Sequence, residues 1–133
     1  MRIRSLAVAG LAVALTLSGC VMVRSGFATQ AGSAGDELAA AAVTLRYVHE
    51  GKITVPYARS AFDNYREVLL TFVPKLQKAK GAPSSAEVNR LIAVYRSAVP
   101  VLEAPCLDGG CDWQGQAATL EAAASTLSKA SGG

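Results

Sequence analysis

From Asp36 to Lys129 the apolar residues of this 133-residue chain return every three or four positions, and no stretch alternates polar with apolar long enough for a strand. That single period is the mark of helices with one buried stripe, and it limits the chain to an all-α architecture. Four segments carry it. The first runs from about Asp36 to Glu50, with Leu38, Ala42, Leu45 and Val48 on one stripe and Gly51 as a stop. The second places Ala58, Ala61, Phe62, Tyr65, Val68, Leu69, Phe72 and Leu76 on one side. The third, up to about Glu103, aligns Val88, Leu91, Ile92, Tyr95, Val99 and Leu102. The fourth, Gln114 to Lys129, turns Ala117, Leu120, Ala124 and Leu127 inward. Short connections between such helices predict a small antiparallel bundle of three to four helices over residues 36–133. Alanine at many inward positions implies closely spaced axes and a thin core.

Local signals fix several boundaries. Thr54 is placed to cap the second helix, with Pro56 acceptable in its first turn. Ser84-Ser85-Ala86-Glu87 has the form of a capping box opening the third. Pro74 and Pro100 interrupt otherwise helical runs; each removes a backbone donor and crowds the preceding turn, so each predicts a kink or an early end. Lys75, Lys78 and Lys80 fall near the negative end of the second helix dipole, which gives them a structural role.

Ahead of the helices the chain changes character. Met1-Arg2-Ile3-Arg4 is basic, Leu6 to Leu17 is uncharged and mostly apolar, and Leu17-Ser18-Gly19-Cys20 follows at once. Basic, apolar and small residues in that order make an export signal. The last four residues resemble the lipobox of bacterial lipoproteins. The resemblance implies a diacylglyceryl group on Cys20, cleavage between Gly19 and Cys20, and a mature protein starting at Cys20. Residues 1–19 are then a signal peptide, and the acyl lipid, palmitate included, is the one non-protein group expected. Two other outcomes exist for the same stretch: cleavage after Ala28, where Gly26-Phe27-Ala28 offers small residues, and an uncleaved anchor reaching Val23. Twelve uncharged residues are short of the ~20 that span a bilayer. Residues 20–35, rich in small and polar side chains, read as the acylated cysteine and a flexible tether.

Cleavage removes two of the 13 basic residues and no acidic one, so 11 basic face 10 acidic residues in the mature chain. No clustered basic face points to nucleic acid. Export also places Cys106 and Cys111 in an oxidising compartment, where a close pair forms a disulfide, and Asp108-Gly109-Gly110 supplies the tight turn. The expectation is a structural clip between the last two helices.

Catalysis finds little support. His49 is the single histidine and sits next to Glu50, which points elsewhere around a helix, so a helix-end role is expected. No serine lies in a nucleophile elbow or a Ser-x-x-Lys pattern, and no metal set is visible. The expectation is a protein that is not an enzyme and carries no metal. Tyr65-Arg66 and Tyr95-Arg96 on neighbouring helices, with Trp113 beside the clip, form the candidate partner surface, the tyrosines meeting at a helix seam.

The expected function is therefore that of a membrane-anchored envelope lipoprotein acting as a non-catalytic structural or protein-interaction module, with an envelope protein as partner. Val21 after the cysteine implies the periplasmic face of the outer membrane in a Gram-negative cell, and otherwise the outer face of the cytoplasmic membrane applies. Two alternatives stand beside it: a phage or prophage lipoprotein in lysis or superinfection exclusion, and a redox or metal-handling accessory using Cys106 and Cys111.

Overall fold

The computed structural model describes residues 25–132. These form helices α1 (Gly26–His49), α2 (Val55–Leu69), α3 (Phe72–Lys78), α4 (Ser85–Glu103) and α5 (Trp113–Ala130), and no strand occurs among the described residues. The α2–α3 arm is one run broken at Leu70 and Thr71, so four helical arms build the bundle.

The largest departure from the sequence reading is at the start. Residues 26–35, expected to be tether, are the first turns of α1. Ser25 caps the helix, its Oγ accepting from the Ala28 amide at 3.1 Å. The capped end is held from outside as well: the Phe27 amide donates to the Lys80 carbonyl at 2.9 Å. Gly81, at φ +92°, lies so close that a Cβ there would collide with the Ser25 side chain. Phe27, Ala31, Ala34 and Leu38 then continue as one buried stripe with steps of four, three and four. Glycine and serine between them had hidden the period.

The other boundaries agree with local chemistry. Thr54 Oγ1 accepts from the Tyr57 amide at 3.3 Å, and Pro56 sits in the first turn of α2. Ser84 Oγ accepts from the Glu87 amide at 3.1 Å. The Glu87 carboxylate turns to Arg90, at 2.6 and 2.9 Å, instead of back to the cap. That bonding holds its carboxyl below the usual range. Pro74 acts one turn ahead of itself. Its ring would crowd the carbonyl of Leu70, and the helix breaks there, leaving Pro74 in the first turn of α3, where a missing N–H costs nothing. Pro100 does not shorten its helix; α4 runs through it to Glu103 on the solvent side.

Consecutive arms run antiparallel across three short loops. α1 lies beside α5 and the α2–α3 arm, and α4 closes the ring between those two. The α1–α5 seam is the most extensive. Gly35 faces Ala124, Leu127 and Ser128 at one end, while His49 meets Trp113 at the other. Ala31, Ala34, Ala41 and Ala42 on α1 and Ala117, Ala123 and Ala124 on α5 are all buried, and Gly35 comes up against the α5 backbone, so the axes approach closely, as the alanine pattern implied. Leu38, Leu45, Phe62, Leu69, Leu76, Leu91, Leu102, Leu120 and Leu127 are fully buried and supply the volume. At ~1.5–3 kcal/mol for each large side chain, this layer carries most of the driving force.

Candidate functional site

The structure scatters the expected partner surface. Tyr65 and Tyr95 do not pair at a seam; each hydroxyl is bonded inside the bundle. Thr44 Oγ1 donates to the Ala40 carbonyl at 2.9 Å, so its one proton is used, and the Tyr65 hydroxyl donates to it at 2.8 Å. Tyr95 donates to the Leu69 carbonyl at 3.2 Å, beside the α2–α3 break, and its ring meets Phe72 edge-on at 5.1 Å. The Leu69 carbonyl is at a helix end, where the break leaves acceptors without helical partners. Both tyrosines are therefore half-buried struts. Arg66 is paired with Asp63 on its own helix, while Arg96 is exposed.

Burial pushes the Tyr95 phenol above its ordinary value, and the Glu103 carboxylate adds to the rise. A phenol with a raised folded value favours the folded state while neutral. Its contribution is complete below the unfolded value near 10 and is lost as pH climbs through the higher folded value. Melting between pH 8 and 11.5 is thus expected to show a downward slope that Tyr95→Phe flattens. The same variant should cost about 1 kcal/mol at neutral pH for the lost bond to Leu69.

The sequence-remote groups gather at the other end. Cys106 and Cys111 form a disulfide with Cα atoms 5.9 Å apart, in the loop between α4 and α5. Cys106 is buried and Cys111 exposed. The loop is pinned by Gln116, whose Oε1 accepts from the Cys106 amide at 2.7 Å and whose Nε2 donates to the Ala104 carbonyl at 3.1 Å. Asp112 caps α5, accepting from the Gly115 amide at 2.9 Å.

His49 joins this end instead of acting only as a helix terminus. Its Nε2 lies 2.6 Å from the Cys106 carbonyl; a carbonyl only accepts, so this nitrogen carries the proton. The ring stacks on Trp113 with centroids 4.6 Å apart and planes 7° from parallel. Trp113 is half-buried against that histidine, neither a free anchor nor fully enclosed. The link between α1, the clip and α5 spans 57 residues of sequence in the His49–Cys106 bond alone, and no local pattern announces it.

The surface between these ends offers shallow clefts. One of about 200 Å³ lies between α1 and the α2–α3 break, with Gln30, Glu37, Val68 and Lys75 on its walls. Another of about 250 Å³ is ringed by Arg59, Asp63, Arg66, Glu103 and Asp108. Both are open and mixed in charge, suited to surface contacts more than to enclosing a small molecule. Among the described residues there is no group of three or more His, Cys, Asp and Glu placed to hold a metal ion, and no helix long and apolar enough to cross a membrane. Gly19, Cys20 and the rest of the leader lie outside the described residues. Comparison with protein-family models, curated proteins and solved structures gives no match for this chain.

Proposed function

We propose that this chain is an exported lipoprotein whose bundle serves the bacterial envelope as a non-catalytic structural or protein-interaction module, held to the membrane by lipid on Cys20. One observation carries the reading: Leu17-Ser18-Gly19-Cys20 stands between an uncharged run and the start of the folded body. The bundle bears on the choice of cleavage site. A cut after Ala28 would fall inside the first turn of α1, removing the Ser25 cap and Phe27, whose side chain is buried in the core. A cut before Cys20 leaves every described residue in place. With Val21 next to the lipid-bearing cysteine, the outer membrane is the proposed destination in a Gram-negative cell.

The test is the intact mass and N-terminus of the protein recovered from membranes, wild type against Cys20→Ala. The expected product starts at Cys20, carries acyl chains and stays in the membrane fraction; Cys20→Ala carries no lipid. A mature N-terminus at Thr29, or an uncleaved chain without lipid, would overturn the reading.

A further inference from the structure

The unpaired lysines of this bundle collect at the end from which the lipid-bearing segment leaves. Lys78 closes α3, Lys80 follows it, and Lys80 receives the Phe27 amide of the first turn of α1. Lys129 is in the last turn of α5, which runs antiparallel to α1 and so finishes beside its start. All three are exposed, and none is in an ion pair among the described residues. Lys75 flanks them, sharing a cleft with Glu37. The acidic Glu87 at this end is neutralised by Arg90. The opposite end, around the α1–α2 loop and the clip, holds Glu50, which pairs with Lys52, together with Glu103 and Asp108, which share a cleft with Arg59, and Asp112. The helix dipoles account for Lys75 and Lys78 at the end of α3 and for Lys129 at the end of α5. They do not account for Lys80, beyond α3, or for the two helix ends and the loop sharing one face with the lipid-bearing segment.

Chain length sets the geometry. Five residue steps join Cys20 to Ser25, a reach of at most about 18 Å. α1 with its 24 residues is about 36 Å long. The lipid-proximal end therefore stays within about 18 Å of the acylated cysteine, and the clip end is a bundle length farther out. We propose that the Lys78, Lys80 and Lys129 end docks on anionic phospholipid headgroups, setting the bundle upright with the His49–Trp113 clip end turned away from the membrane. This rests on the acylation of Cys20 proposed above. Each lysine near an anionic surface contributes about 1 kcal/mol, about fivefold in occupancy of the docked state, so three suffice to fix orientation.

The experiment uses the acylated full-length protein in vesicles of phosphatidylcholine with and without phosphatidylglycerol. Lysine acylation by an amine-reactive reagent is followed by mass spectrometry. With each rate taken relative to the same lysine in the vesicle-free protein, Lys78, Lys80 and Lys129 should be slowed severalfold more by phosphatidylglycerol vesicles than Lys52, which sits beside the α1–α2 turn and is paired with Glu50. The contrast should shrink on pure phosphatidylcholine and in ~1 M salt, where screening acts within about 3 Å. In a Lys78→Gln, Lys80→Gln variant, Lys129 should lose its protection. Equal slowing at both ends, on protein whose mass shows the lipid, would overturn the docking and leave the anchor standing. Absence of lipid from Cys20 would overturn both, and the intact mass tells the two failures apart.

Discussion

A chain beginning at Asp36 is expected to lose its cooperative fold, whereas one beginning at Ser25 keeps it. The difference is eleven residues that composition assigns to a tether. In the bundle they contribute the Ser25 cap, worth about 1 kcal/mol, and Phe27, worth about 1.5–3 kcal/mol when fully buried; Phe27 is 3% exposed. Ala31 and Ala34 are buried too, and Gly35 packs on the face of α5 at Ala124 and Leu127. Removing them also frees the loop at Lys80 and Gly81, which the Phe27 amide and Ser25 hold. The combined loss is of order 5 kcal/mol, against a total of 5–15 kcal/mol typical of a domain. Urea unfolding followed by circular dichroism checks this. The longer chain should unfold in one transition and the shorter should start partly unfolded or melt without a clear midpoint. Equal midpoints would mean that α1 draws its stability from Asp36 onward.

That error and the successes around it have one physical origin. Periodicity in large side chains is legible from sequence, so the stripes of α2, α4 and α5 and the caps at Thr54 and Ser84 were readable to within a residue or so. Even there, Val68 is 48% exposed, because it lies at the edge of the α2 stripe, about 100° round the helix from the buried Leu69. Periodicity in small residues is not legible in the same way. Phe27, Ala31, Ala34, Gly35 and Leu38 are as regular as any stripe in the chain, yet alanine and glycine give little hydrophobic contrast until a second helix is known to press against them. The glycines and serines among them also lower the helix propensity of the segment. The clip end was unreadable for a different reason. The Cys106–Cys111 pair is local and was expected, but its contacts with His49 and Trp113 depend on α1 and α5 lying antiparallel. The Tyr-Arg repeat misled because identical dipeptides on adjacent helices say nothing of direction: Tyr65 turns to Thr44 on α1, and Tyr95 to the broken end of α2.

The α1–α5 seam makes Gly35 the position where one side chain has the most leverage. A Cβ built there would stand 3.1 Å from the Ala124 carbonyl oxygen and 3.2 Å from the Ser128 amide nitrogen. Both are backbone atoms of a regular helix, which cannot rotate aside as a side-chain end does. Gly35→Ala sets this crowding against the ~1 kcal/mol by which alanine favours a helix interior over glycine. A shift of a few tenths of an ångström relieves the contact, so stability within about 1 kcal/mol of wild type is expected. Gly35→Leu has no such relief. Its added carbons must either push α5 away from α1 or leave a helical rotamer, and overpacking of this kind costs about 1–3 kcal/mol and occasionally more. The upper part of that range is expected here, because separating the axes uncovers Leu38, Leu120 and Leu127, each fully buried in the same seam. Chemical unfolding of the two variants decides the matter. A Gly35→Leu protein as stable as wild type would mean that the helices do not approach at Gly35 as closely as the structure places them, whereas a graded loss from alanine to leucine is what a seam of small residues requires.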